Sequence, residues 1–193
     1  HFTGATTRLG TIEDKTTASD FDEEEQRRGI SLFTTVLPVL YKDLKLNLLD
    51  TPGYTDFVGE VVSAMRVADC ALILVDSVGG LEVGTEVALQ YAETFGIPKI
   101  MVINKMDREN ASYQKALKSV QDEIAARLIP MQLPMGEKAE FKGVIDLVSM
   151  KAYEGDGKKA VEIPADLKAE AEEARTLLVE AAAEGEDSLL EKY

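Results

Sequence analysis

The chain has 193 residues, 45% hydrophobic and 29% charged, enough apolar material for one sizeable domain, alone or with a small second one. Thirty-five acidic side chains against 21 basic ones give a net charge of −14, which argues against sequence-specific nucleic-acid recognition spread over the chain, although a local basic patch is still allowed. No run of 18 apolar residues exists, so no membrane span is predicted, and a single cysteine, Cys70, permits no internal disulfide and fits a reducing cytoplasm.

Taken in order, His1-Phe2-Thr3-Gly4 reads as the end of a helix capped by Gly4, the start of an internal piece of a longer protein. Thr11 to Ser31 is polar with mixed charge and no sustained period. It predicts a long mobile loop with a turn of helix at Asp22 to Arg27, and long loops in compact domains are functional or disordered. The Ser31 hydroxyl is a candidate Mg²⁺ ligand or an ordinary serine at the start of a strand. Ser31 to Tyr41 predicts that strand, Lys42 to Lys45 a tight turn, and Leu46 to Asp50 its antiparallel partner at the edge of a sheet. After Tyr54, the residues Val58, Val61, Val62, Met65, Val67 and Ala68 recur at helical spacing. Cys70, entering the next strand, reads as a small buried residue. Strand Ala71 to Val75, helix Glu82 to Phe95, strand Lys99 to Ile103 and helix Ala111 to Arg127 alternate, which predicts a doubly wound, mostly parallel α/β sheet.

The pattern changes after Arg127. Strands are predicted around Met131 to Pro134, Glu140 to Asp146, Met150 to Tyr153 and Lys159 to Ile163. A long helix follows, with Pro164 before it and Gly185 as its stop, then a short one over Ser188 to Tyr193. This predicts residues 1–127 as one α/β domain and 128–193 as a small α+β insert. The insert carries 8 basic and 15 acidic side chains, half of the net charge.

Two stretches look like sites. In Leu46 to Tyr54, an apolar run stops at Asp50, and Thr51, Pro52, Gly53 and Tyr54 form a turn. Pro52 fixes a backbone dihedral, Gly53 permits close approach to a ligand, and a carboxylate at a strand's C-terminal end suits a hard cation and a phosphate. About 50 residues downstream, Lys99 to Ile103 is followed by Asn104, Lys105, Met106 and Asp107. Alone, the first is also a plain strand-ending turn and the second a helix-capping loop. In this order and context they resemble the third and fourth nucleotide motifs of translation-factor GTPases.

The resemblance extends along nearly the whole chain to elongation factor G. Arg28-Gly29-Ile30-Ser31 is similar to the end of that family's first switch loop, Asp50-Thr51-Pro52-Gly53 to the start of the second, and Asn104-Lys105-Met106-Asp107-Arg108 to its guanine-reading motif. Met131 to Gly136, Gly143 to Leu147 and Met150 to Tyr153 are similar to its insert. The resemblance implies a P-loop-type GTPase fold, GTP and GDP as ligands with Mg²⁺, and cytoplasmic hydrolysis of GTP in translocation. It also implies the ribosome as partner, including the factor-binding centre and stalk protein. Asp107 would accept two hydrogen bonds from guanine, Asn104 would contact the base, and Lys105 would cover its face. Ser31 would bind Mg²⁺ directly and Asp50 through water, and the Gly53 amide would meet the γ-phosphate. Two residues depart from the family pattern. Tyr54 stands where the family has a water-orienting histidine, and a phenol is not protonated to a cation as imidazole is. Ser31 stands for threonine and keeps the hydroxyl. No G-x-x-x-x-G-K-[ST] occurs. The first strand and its phosphate loop are therefore expected to be missing and the isolated chain to bind nucleotide weakly or not at all. A degenerate, non-catalytic GTPase-fold module is the alternative.

Overall fold

The computed structural model describes residues 3–124, 127–155 and 157–185. By internal packing it divides into two units. One holds the chain up to Leu74 with Glu82–Val102, and the other holds Val75–Leu81 with the chain from Ile103 onward.

In the first unit, α1 (Glu23–Arg28) begins where Asp22 accepts a hydrogen bond from the Glu24 amide and Glu25 accepts one from the Asp22 amide. This reciprocal cap satisfies two orphan donors of the first turn. Acidic residues fill the first turn and Arg27 and Arg28 the last, as the helix dipole favours. Gly29 ends the helix at φ 67°, a left-handed conformation glycine adopts without a Cβ penalty. Strands β1 (Thr35–Tyr41) and β2 (Leu44–Asp50) pair antiparallel from Tyr41↔Leu44 to Thr35↔Asp50, forming a two-stranded sheet. The register places Leu37, Val39, Tyr41, Leu44, Leu46 and Leu48 on one face. A 3₁₀ turn (Thr55–Phe57) leads into α2 (Val58–Met65). The helix stops before Val67, which the periodicity had included, and Val67 is exposed.

Strands β3 (Ala71–Asp76) and β4 (Lys99–Asn104) pair with each other and are joined through α3 (Val83–Thr94). Ala71 N donates to Pro98 O at 2.9 Å and Ser77 N to Asn104 O at 3.0 Å. The constant offset between these pairs means the strands run parallel, so the predicted α/β architecture with a parallel sheet is present. Along β3, Ala71, Ile73 and Val75 are buried while Leu72 and Leu74 are exposed. Cys70 is exposed, not buried as its apolar neighbours implied; it lies just before the strand, where the alternation has not begun. Helix α4 (Tyr113–Glu123) ends before the predicted Arg127, because Ile124 is already extended.

The second unit carries an antiparallel meander, β5 (Gln132–Met135), β6 (Gly143–Asp146), β7 (Lys151–Glu154) and β8 (Ala160–Val161), in that order. Leu133, Met135, Ile145, Leu147 and Ala152 form its core together with Ala171 of α5 (Lys168–Ala183). Alternation along each short strand sends one set of side chains inward, and Leu167, Ala174 and Leu178 extend the helical contact. Arg175 donates to the Leu147 and Val148 carbonyls. The helix predicted over Ser188 to Tyr193 lies outside the described residues, as do His1 and Phe2 of the predicted opening helix end.

Candidate functional site

The first unit holds Ser31 and the Asp50–Tyr54 turn. Asp50 is the last residue of β2, so the apolar run does end at the carboxylate. Its side chain is exposed and has no hydrogen bond or ion pair among the described residues. Pro52 is fully buried and anchors the turn, whereas Gly53 is exposed and a Cβ built there would meet nothing within 4 Å. The Gly53 carbonyl instead lies 3.1 Å from where a Cβ on Gly84 would stand, so the turn rests on the start of α3. Tyr54 is 57% exposed and its hydroxyl has no partner among the described residues, so it does not pack beneath the turn.

The loop before β1 is organised by carboxylates that sequence reasoning did not single out. Ser31 lies ahead of β1, not in it, and its Oγ donates to Asp20 Oδ1 at 2.7 Å; Thr17 donates to the other oxygen. Glu25, 1% exposed, accepts from the Leu32 and Phe33 amides on one oxygen and from the Asp22 amide on the other. Glu60 of α2 accepts from the Thr34 amide at 2.8 Å, and its carbonyl accepts from the Thr34 hydroxyl. Glu60 therefore links the Ser31 segment to the helix that follows Tyr54. A cavity of about 290 Å³ lies beside this link, lined by Leu32, Phe33, Asp56, Phe57, Gly59 and Glu60.

A Mg²⁺ ion can be tested against these residues. No group of three or more His, Cys, Asp or Glu among the described residues could hold a metal. The Asp50 carboxylate and the Ser31 hydroxyl are donor types that suit a cation which keeps most of its shell from phosphates and water; among the described residues Ser31 is bonded to Asp20, not to Asp50. Ser31 donates its proton to Asp20, which leaves the oxygen lone pairs available and orients them, as outer partners of ligating groups do.

The second unit holds the loop that ends β4. Asn104 is the last residue of that strand, and its Oδ1 accepts from the Lys105 amide at 2.8 Å. Lys105 adopts φ 59°, the left-handed region, which is uncommon for a residue with a side chain. Met106 is buried and pins the loop, while its carbonyl accepts from Lys138 N at 2.8 Å. Asp107 is exposed and its carboxylate has no partner among the described residues. A charged acceptor held on a buried neighbour suits a ligand edge that presents paired N–H donors.

Asp76 adjoins this loop. Its Oδ2 lies 2.9 Å from Lys105 Nζ and 3.4 Å from Arg108 Nη1, and its Oδ1 accepts from the Val78 and Gly79 amides. The Lys105 ammonium foremost, with those amides, holds the carboxyl down at about 2. An overlooked signal was available in the sequence: Asp76 ends β3 as Asp50 ends β2 and Asn104 ends β4.

Because the folded value lies below the ordinary 3.8, this group's stabilisation is present above pH 4 and is lost as pH falls from about 4 towards 2. We expect urea unfolding of the wild type to lose about 1 kcal/mol more over that interval than Asp76→Asn. This modest figure reflects a Lys105 side chain that is 46% exposed to screening water. Parallel pH profiles for the two proteins would contradict the assignment.

The family described as Elongation factor Tu GTP binding domain matches residues 1–188. The chain is also similar to a protein of known crystal structure from Thermus thermophilus, with 35% identity and a TM-score of 0.90 over 100% of this chain. The chain spans 29% of the length of that Thermus protein. Among the described residues, no helix is long and apolar enough to cross a membrane. With the family model matching residues 1–188, nearly the whole chain, the chain belongs to the elongation factor Tu GTP-binding-domain family of translation-factor GTPases.

Proposed function

We propose that the chain is part of an elongation-factor-G-type GTPase that acts on the ribosome in translation elongation. The observation that carries this reading is the Asn104–Asp107 loop, in which Asp107 stands exposed and unpartnered at the end of a parallel strand. In this reading Asp107 accepts two N–H bonds from guanine, which adenine cannot donate, Asn104 contacts the base and the Lys105 stem covers its face. Asp50, through water, and Ser31 hold Mg²⁺, which neutralises phosphate charge when bound. Thr51 and Pro52 set the turn so that the Gly53 amide is presented to the γ-phosphate. The open space around Gly53 supports close approach. The reaction is attack of water on the γ-phosphorus, for which the protein chiefly positions water and stabilises charge. Tyr54, exposed and with its hydroxyl unpartnered, is the group that orients that water by a hydrogen bond.

Residues 1–127 are read as a partial GTPase domain and 128–193 as an insert; the buried core of Leu133, Met135, Ile145, Leu147, Ala152 and Ala171, all drawn from the second range, supports the reading, with Tyr113 of α4 packed against it. The phosphate-binding loop and its strand are read as lying outside these residues. Exposed Leu44, Leu46 and Leu48 on the hairpin and Leu72 and Leu74 on β3 support that reading, since strands of a doubly wound sheet bury both faces. Without a phosphate-loop lysine among residues 1–193, the chain by itself is read as binding nucleotide weakly or not at all and as not hydrolysing it; the alternative reading is a degenerate, non-catalytic GTPase-fold module that docks on the ribosome or another partner.

The test is GTP turnover stimulated by ribosomes, measured on the longer protein that contains these residues, with ATP as control. Turnover of GTP alone is expected, and equal turnover of ATP would contradict the reading. Tyr54→His is expected to change the stimulated rate about tenfold, less than the roughly 10²–10⁴-fold of a positioned proton-transfer group, because the phenol already orients water by a hydrogen bond. An unchanged rate would remove Tyr54 from the reaction.

A further inference from the structure

Lys105 is held at three points in the structure, and all three lead back to strand ends. Its left-handed backbone is fixed by Asn104 Oδ1 on its amide, and its carbonyl accepts from Ser77 Oγ at 2.7 Å and from the Arg108 amide at 3.2 Å. Its ammonium lies on Asp76. Ser77 is 2% exposed, and its own amide and carbonyl bond Asn104 O and Ser112 N. The Asp76-Ser77 dipeptide thus clamps the side chain and the main chain of one residue, Lys105.

An exposed ion pair holds little, because two long side chains must be ordered in water. This pair differs on the acidic side. The Asp76 carboxylate is 15% exposed and is fixed by two backbone amides of its own turn. That turn is tight: Gly80 has φ 68°, and a Cβ there would stand 2.6 Å from Ser119 Oγ of α4. Ser119 Oγ also accepts from the Leu81 amide. The anchor is therefore rigid, and only the lysine side has ordering left to lose.

Resting on the reading of Asn104–Asp107 as a guanine-binding loop, we propose that Asp76 is a positioning residue for that loop. It holds Lys105 in place so that the turn stands set before nucleotide arrives. Binding to a preset loop avoids an ordering cost, so loss of Asp76 weakens guanine nucleotide without touching it.

The test uses the full chain and two variants, Asp76→Asn and Lys105→Met, with the double variant. Asparagine keeps an oxygen for the Val78 and Gly79 amides and removes the charge. In nucleotide-free protein, Asp76→Asn is expected to speed amide hydrogen exchange at Lys105 and Arg108 about tenfold, with the amides of the β5–β8 sheet unchanged. GDP binding is expected to weaken about fivefold to tenfold. With Arg108→Met in the background, which removes the second ion pair of Asp76, the double variant is expected to match Lys105→Met alone in both readouts. Unchanged exchange at Lys105 and Arg108, acceleration throughout the sheet as a merely structural role would give, or additive effects in the double variant would each overturn the proposal. If wild type responds equally to GDP and ADP, or to neither, the guanine reading fails, and the nucleotide-free exchange data still decide whether Asp76 sets the loop.

Discussion

Asp107→Ala is expected to erase discrimination between guanine and adenine nucleotides. The carboxylate is exposed and accepts nothing within the described chain, so its removal costs the fold little. In the proposed complex it accepts two charge-assisted bonds, each worth about 1.5–3 kcal/mol. Loss of both weakens GDP by about a hundredfold or more and leaves ADP unaltered. Asp107→Asn keeps the shape but presents one N–H where the guanine edge also presents N–H, so it should be nearly as damaging for GDP. Competition binding with both nucleotides measures this. A variant that keeps its preference for GDP would show that Asp107 does not read the base.

Glu25→Ala carries the largest expected structural effect. The carboxylate is buried and takes three backbone N–H groups: Asp22 at the start of α1, and Leu32 and Phe33 seven and eight residues on. Alanine leaves those donors without their acceptor and opens the cap. Each buried unsatisfied donor costs about 1–3 kcal/mol, and a lost cap about 1. We expect the segment from Asp20 to Thr34 to lose about 3 kcal/mol or more, read as hydrogen exchange at Leu32 and Phe33. Glu25→Gln should recover less than half, because one of its two terminal atoms becomes a donor facing donors. Protection at Leu32 and Phe33 equal to wild type in Glu25→Ala would refute the account. The same segment ends at Thr34, bonded to Glu60, so loosening should also reach the start of α2.

Features written as local patterns were legible in the sequence. The apolar runs that halt at Asp50 and Asn104 were read as strand ends, and both residues do end their strands. The hairpin and the alternation of strand and helix through α4 followed from spacing alone, although the turn expected over Lys42–Lys45 is shorter, with Leu44 and Lys45 already in β2. The positions of Asp50–Tyr54 and Asn104–Asp107 in turns after strands were legible for the same reason. What the sequence hid depends on partners distant along the chain. Glu25 looks like one acid in a charged run, yet it is buried because the chain turns back at Gly29 and brings two amides to it. Asp20 gains its place by meeting Ser31 eleven residues later. Asp76 meets Lys105 only because β3 and β4 run side by side in parallel. Cys70 was misjudged because its neighbours are apolar, although it lies outside the strand that buries them.

The central claim is that the loop after β4 reads guanine. The most direct test follows the amides of the ¹⁵N-labelled chain while GDP, or ADP as control, is added with Mg²⁺. The account predicts binding near about millimolar affinity, as a base site without a phosphate cradle allows. Shifts should be confined to Ser77 and Asn104–Arg108, caused by GDP and not by ADP, and absent in Asp107→Ala. No response to GDP at about ten times that concentration, or the same shifts with ADP, would contradict it.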